Sequence, residues 1–158
     1  MSQARIDMSQ SSPLLIIGVG NAYRSDDAVG LLVVRTLNAL HLPSTLCIES
    51  DGDGTTLVDT WSNAGRVILI DAISSGAQPG TIYRFNAMTQ LLPSSASFSS
   101  THAFGVAEAI QLARILEQLP ASLTIYGIEG KHFAAGTDLS PEVEMAMQEV
   151  VELVRREV

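Results

Sequence analysis

The stretch LLIIGVGNAYRSDDAVG, residues 14–30, decides the fold. It begins with a short, largely β-branched apolar run closed by glycines, which is typical of a buried strand, so we predict a strand over 14–20. Ser25 is a favourable N-cap residue. Apolar side chains then recur at helical spacing, which predicts an amphipathic helix over about 26–40. A buried strand that turns at once into a helix is the repeating unit of a parallel α/β fold.

The rest of the chain continues this alternation. Apolar runs and helical spacing predict strands over 44–50, 66–73 and 122–129, and helices over 55–62, over 103–118 and from Ser140 onward, with Pro141 at the first helical position.

Two segments break the simple alternation. Residues 74–80 are too few for a parallel crossover, so 81–85 is predicted as an antiparallel edge strand. Residues 86–102 form a long serine-rich loop with room for one helical turn, and loops of this length are often functional. We therefore predict a single three-layer α/β domain over residues 13–158. Its twisted, mostly parallel sheet has about five strands, helices on both faces and one antiparallel edge strand.

Composition narrows the class of partner. The 158 residues are 46% hydrophobic and 16% charged, which suits one domain with a sizeable core. A net charge of −8 repels phosphate backbones, so we expect no nucleic-acid partner. No apolar run approaches the roughly 20 residues of a membrane span. Residues 1–12 lack a signal-peptide core and are predicted to be a flexible extension, and the single Cys47 fits a reducing cytoplasm.

The glycine loop can be interpreted as a phosphate site or as a cation site. Gly18 and Gly20 match the start of a dinucleotide fingerprint, but Tyr23 stands where its third glycine belongs. Asp26 and Asp27 oppose the positive field on which a phosphate site at a helix start depends, and they would welcome a cation. A plainer alternative is that both acids only stabilise the helix dipole, by about 0.3–1 kcal/mol each.

Two further side chains are candidates for the same edge of the sheet. Asp71 ends a nearly continuous apolar strand, and open α/β folds place their sites at the carboxyl ends of strands. His102 precedes a predicted helix after the long loop. With Asp27 they would form an incomplete shell of two carboxylates and one imidazole, and imidazole suits nickel or zinc. The spacing is not a local metal motif, so a strand-end aspartate and a surface histidine remain the alternatives.

Four separated motifs carry a resemblance to a known family. In chain order they are GVGNAYRSDDAVG, VILIDAISSGAQPGTIYRF, STHAFGVAEAIQLA and LTIYGIEGKHFAAGTDLSPEV. Together they resemble the hydrogenase maturation proteases, which process the large subunit of nickel–iron hydrogenases. The resemblance runs from about Leu14 to Val154 and agrees with the α/β fold predicted above.

The resemblance implies a cytoplasmic, aspartic-type endopeptidase. Such an enzyme removes the C-terminal extension of the large-subunit precursor after nickel has been inserted. The family's metal-binding and catalytic residues fall on Asp27, Asp71 and His102. The nickel is carried by the precursor, and zinc or cadmium would replace it in the isolated protein.

Substrate contacts are implied for Asn21, Asp26, Asp51 and Gly52, which lie in the glycine loop and in the loop after the second strand. That second loop departs from the family pattern, because Asp53 interrupts the usual pair of glycines after the first aspartate. Two other functions remain open: a non-catalytic nickel carrier with the same three ligands, and a nucleotide-binding module built on the glycine loop.

Overall fold

The computed structural model describes residues 12–90, 92, 97–98 and 102–158. Its strands are β1 (Leu14–Val19), β2 (Thr45–Ser50), β3 (Arg66–Ser74), β4 (Ile82–Asn86), β5 (Ser97–Phe98) and β6 (Ser122–Glu129). Its α-helices are α1 (Val29–Ala39), α2 (Gly54–Trp61), α3 (Val106–Ile115) and α4 (Pro141–Glu157), and a short 3₁₀ helix, Ser25–Ala28, leads into α1. Residues 1–11 of the predicted extension lie outside the described residues, as do 91, 93–96 and 99–101 of the predicted serine-rich loop.

The sheet has the order β2-β1-β3-β6-β4. The first four of these strands are parallel, and β4 pairs antiparallel with β6 at the edge, which confirms the predicted architecture. The two-residue strand β5 was not predicted. It lies in the serine-rich loop and pairs antiparallel with the end of β3, with Phe98 opposite Ile73.

Helices cover both faces of the sheet and enclose two cores. In β3, Val67 and Leu69 pack on the face that α2 and α3 cover, whereas Ile68 and Ile70 pack on the face that α1 and α4 cover. Successive side chains of a strand point to opposite faces, so a central strand with helices on both sides needs apolar residues throughout. The uninterrupted run in β3 meets this requirement.

Two helix starts differ from the prediction. The helix predicted from about residue 26 begins as a 3₁₀ helix, and Ser25 is not its side-chain cap. Ser25 has a positive φ of 53°, and its hydroxyl donates instead to the carbonyl of Ala134, at 2.8 Å. The third helix is shorter than the predicted 103–118, because it begins after Gly105, whose N–H donates to the Glu108 carboxylate at 3.1 Å.

Among the helices that the structure describes, none is long and apolar enough to cross a membrane.

Candidate active site

A cleft of about 340 Å³ opens at the carboxyl ends of β1 and β2. Loops from three separate parts of the sequence form it: the glycine loop, the loop after β2 and the segment before α3. Its lining residues are Gly20, Asn21, Ala22, Tyr23, Asp27, Asp51 and His102.

Asp27 lies at the base of this cleft, nearly enclosed by the chain. Only 2% of the residue is exposed, and the guanidinium of Arg24 lies 3.7 Å from its Oδ2 atom. Gly20 makes this placement possible, since a Cβ atom at position 20 would collide with the carbonyl oxygen of Asp27. The second glycine of the loop is therefore required for close contact with the 3₁₀ helix, whether or not any phosphate binds.

His102 and Asp51 meet across the mouth of the cleft. The Nε2 atom of His102 lies 3.4 Å from Oδ2 of Asp51, and both side chains are substantially exposed. Their loops are joined nearby, because the N–H of Gly54 donates to the carbonyl of Phe104 at 2.9 Å. A Cβ atom on Gly54 would strike the Phe104 ring, so this junction also requires a glycine.

Asp71 is buried like Asp27 but does not line the cleft. It is fully buried near the carboxyl end of β3, opposite Gly127 of β6. Strand alternation places its side chain on the same face as Leu69, towards α2 and α3. The residues that line the cleft include Asp27 and His102 but not Asp71.

The three predicted ligands are therefore not assembled as a ready metal site. Across the described part of the chain, no group of three or more His, Cys, Asp or Glu side chains is placed to hold a metal ion. The donor types near the cleft, carboxylate and imidazole, still suit nickel or zinc. Any ion bound here would need further ligands from elsewhere.

Asp26 faces away from the cleft and serves the fold. It is fully buried, and its carboxylate accepts hydrogen bonds from the N–H groups of Lys131, His132 and Ser140 and from the hydroxyl of Ser140. Burial by itself raises the pKa of Asp26, but these hydrogen bonds outweigh it, and the pKa lies below the ordinary value of 3.8. Because the carboxylate is enclosed and bonded within the chain, the structure gives Asp26 an internal role in place of the substrate contact predicted for it.

The other predicted substrate contacts divide in the same way. Asn21 and Asp51 are exposed and line the cleft. Gly52 is buried and absent from the lining; it has a φ of 90°, and its N–H donates to the Ser50 hydroxyl at 3.0 Å. Gly52 therefore shapes the turn after β2, and its contact with substrate stays a prediction.

Tyr23 lines the cleft although no sequence pattern predicts a role for it there. Its side chain is 74% exposed at the cleft. The loop around it is fixed, because its N–H donates to Oδ1 of Asn21 at 2.9 Å and its carbonyl accepts from Gly136 at 3.0 Å. Its position between Gly20 and Asp27 is the sequence signal that places it at the cleft.

The fold and the cleft define an α/β protein whose site lies at the carboxyl edge of a mostly parallel sheet. Comparison with known proteins makes this more specific, because the profile of the HycI hydrogenase maturation protease family matches residues 32–157. The chain belongs to the hydrogenase maturation protease family. It is accordingly an enzyme, a protease, and this membership favours the protease over the carrier and the nucleotide-binding module.

Individual relatives agree with the family match. The chain is 30% identical to the hydrogenase 2 maturation protease of Escherichia coli over 146 residues, which cover 89% of this chain and 87% of that protein. The structure of the nickel–iron hydrogenase maturation protease HybD from Thermococcus kodakarensis superposes with a TM-score of 0.73 at 26% identity, covering 91% of this chain and 97% of that one. An endopeptidase from Escherichia coli, 23% identical with a TM-score of 0.74, shares the fold over 90% of this chain and 89% of its own.

Proposed function

We propose that this protein is the endopeptidase that removes the C-terminal extension of a nickel–iron hydrogenase large-subunit precursor once nickel has been inserted. The precursor's nickel would be recognised through Asp27, Asp71 and His102. The single observation that carries this proposal is that Asp27 and His102, far apart in sequence, line one cleft at the carboxyl edge of the sheet.

The incomplete set of donors fits a metal that arrives with the substrate. A resident metal would need about three donors placed together by this chain, and the described residues do not assemble such a group. Nickel seated in a precursor already has ligands there, and a few donors from the protease complete its sphere. A nickel-free precursor would forgo that contribution and bind less tightly, which makes cleavage a checkpoint on nickel insertion.

His102 must exchange partners for this recognition. Its Nε2 atom lies 3.4 Å from the Asp51 carboxylate in the free protein. A ring nitrogen that binds a metal cannot also donate a proton to a carboxylate. Docking of the precursor would therefore separate His102 from Asp51 and leave the exposed Asp51 carboxylate, together with Asn21, to contact the polypeptide of the substrate.

Because Asp71 is buried, it can bind the precursor's nickel only if the protease changes conformation on docking. It is fully buried near the carboxyl end of β3, so it becomes a ligand only when docking exposes its carboxylate. In the isolated protein, zinc or cadmium would bind weakly through the donors that are already accessible. The order of engagement in this proposal is therefore His102 and Asp27 first, and Asp71 last.

Peptide hydrolysis then follows from positioning. Anchoring the precursor through its metal holds the scissile bond beside the cleft, and such fixed geometry gives a large effective concentration of reacting groups. One aspartate of the cleft would act as general base towards the attacking water, as in other acid–base catalysis by carboxylates.

The direct test compares two histidine variants. His102→Ala removes the imidazole from the cleft, whereas His132→Ala removes an exposed imidazole from the β6–α4 loop and keeps the backbone N–H bonded to Asp26. We expect His132→Ala to trim a nickel-loaded precursor and folded His102→Ala to leave it at full length, as measured by intact-protein mass. Normal trimming by His102→Ala would remove His102 from the proposal.

A further inference from the structure

The 3₁₀ helix that carries Asp27 is hydrogen-bonded to the loop between β6 and α4, which lies more than a hundred residues further along the chain. Asp26 and the residues just before it exchange backbone hydrogen bonds with the β6–α4 loop. The N–H of Asp26 donates to the carbonyl of His132 at 3.0 Å, and the N–H of Ser25 donates to that of Gly136 at 2.9 Å. The Ser25 hydroxyl adds a bond to Ala134 at 2.8 Å. These bonds hold Ser25 in the left-handed conformation, which side chains rarely adopt.

The carboxylate of Asp26 is the centre of this junction. Its Oδ2 atom accepts from Lys131 N at 2.8 Å, His132 N at 2.9 Å and Ser140 Oγ at 2.8 Å, and its Oδ1 atom accepts from Ser140 N at 2.7 Å. We call this group of four residues the Asp26 clasp. Three of its four donors are backbone N–H groups, so the clasp depends on the loop's conformation more than on its side chains.

The clasp determines where the next residue points. Successive residues of a 3₁₀ helix diverge by about 120°, so anchoring Asp26 inward turns Asp27 towards another side. In this structure that side is the cleft, which Asp27 lines while Asp26 does not. Resting on the proposed function, we propose that Asp26 is a positioning residue, which fixes the 3₁₀ helix so that the Asp27 carboxylate is presented to the precursor's nickel.

The same geometry explains why a carboxylate is needed at position 26. All four partners donate, and only an ionised carboxylate offers acceptor oxygens on both sides. An asparagine has nearly the same shape but one acceptor oxygen. Its amide nitrogen would point either at the three donors around Oδ2 or at the N–H of Ser140, and a donor facing a buried donor is unfavourable. Asp26→Asn therefore opens the clasp with little change in volume.

The experiment measures the affinity of the protease for nickel-loaded and for nickel-free precursor, at a temperature where each variant is fully folded by circular dichroism. The readout is the preference for loaded over free precursor. Asp26→Asn should lower that preference by about tenfold or more, because small misplacement of a contacting group is costly, while its affinity for nickel-free precursor stays at the wild-type value. A purely structural role would leave the preference unchanged or weaken both affinities together.

Two further variants calibrate the effect. Lys131→Ala keeps the backbone N–H of the clasp and removes only a side chain that pairs with Glu142 at the surface, so it should retain the full preference. Ser140→Ala removes one of the four donors and should lower the preference by an intermediate factor. If Asp26→Asn does not fold, Ser140→Ala decides the matter, and a wild-type preference in that variant overturns the proposal.

The same affinity measurements distinguish a failure of the positioning role of Asp26 from a failure of nickel recognition itself. If wild-type protein binds loaded and free precursor equally, nickel recognition is contradicted. If the wild type prefers loaded precursor and Asp27→Asn loses that preference while folded Asp26→Asn keeps it, only the positioning role of Asp26 is overturned.

Discussion

At the scale of single residues, the adjacent acids Asp26 and Asp27 have divided roles. The carboxylate of Asp26 accepts hydrogen bonds from within the chain, whereas Asp27 lines the cleft. The sequence shows two equivalent acids at a helix start and predicts that their directions diverge. It cannot show which of them faces the site, because the partners of Asp26 lie more than a hundred residues further along the chain.

Glu129 is a second buried acid whose hydrogen-bond partners lie far away in the sequence. It is almost completely buried at the end of β6, where its carboxylate accepts from the N–H and hydroxyl of Ser75 and from the N–H of Gly76. No sequence pattern marked it, because its partners belong to the turn after β3. Asp26 and Glu129 both bind backbone groups of distant segments, and a single sequence does not reveal those pairs.

The clasp predicts a specific dependence of stability on pH. The pKa of Asp26 in the folded protein lies below its ordinary value of 3.8. Its contribution to the free energy of unfolding is therefore fully present above that value and is lost as the pH falls through the folded pKa. At neutral pH we expect Asp26→Asn to lower the free energy of unfolding by at least about 1.5–3 kcal/mol, the worth of one hydrogen bond to a charged group.

Urea unfolding of wild type and Asp26→Asn over a range of pH checks this. The other acids titrate in both proteins and largely cancel in the difference. The gap between the two should be widest near neutral pH and should narrow below pH 3.8. A gap that stays constant or widens on acidification would show that the charge of Asp26 does not stabilise the fold.

At the scale of helices and strands, the predictions hold wherever burial in the core produces a clear repeat of apolar residues along the sequence. The core strands and α4 follow directly from apolar runs and from proline at a helix start. The short strand β5 could not be found in this way, because two residues are too few for a period and the pairing with β3 is a tertiary contact. The helix α3 ends before the predicted residue 118 because Glu117 has a positive φ of 55°, which is incompatible with a right-handed helix.

The packing of α1 on the sheet depends on a pair of glycines. A Cβ atom on Gly30 would collide with the carbonyl oxygens of Val19 and Ile70, and one on Gly18 would collide with the carbonyl of Gly30. Gly18, the first glycine of the nucleotide-like pattern, and Gly30 therefore allow β1, β3 and α1 to approach one another closely. This close approach also sets the 3₁₀ helix, and with it Asp27, at the end of the sheet.

Gly30→Ala should accordingly destabilise the protein. The methyl group meets backbone atoms that cannot rotate away, and overpacking of this kind costs about 1–3 kcal/mol or more. The matched change is Gly65→Ala, where the nearest atom would be the Ser12 side chain at 3.3 Å. Urea unfolding should show a large loss for Gly30→Ala and a small one for Gly65→Ala, whereas equal stabilities would contradict the close packing described here.

At the scale of the whole molecule, the fold brings donors together that the sequence keeps apart. The alternation of strands and helices predicts that Asp27, Asp71 and His102 share one edge of the sheet. It does not predict depth, and Asp71 proves to be buried while His102 is exposed and paired with Asp51. How deeply each side chain is buried depends on how the loops fold over the strand ends. No repeat of apolar residues along the sequence predicts the folding of those loops.

This arrangement supports an enzyme whose site is completed by its substrate. The protease family is shown by the comparisons, and the cleft supplies some but not all of the donors that a nickel ion takes. A protein that reads the metal of its partner must itself remain without a full ligand shell. We therefore propose that nickel in the precursor is what permits cleavage.

The most direct measurement incubates the wild-type protein with one large-subunit precursor in two forms, nickel-loaded and nickel-free, and records the intact mass of each. We expect loss of the C-terminal extension from the loaded form and an unchanged mass for the free form. Equal trimming of both forms would contradict it.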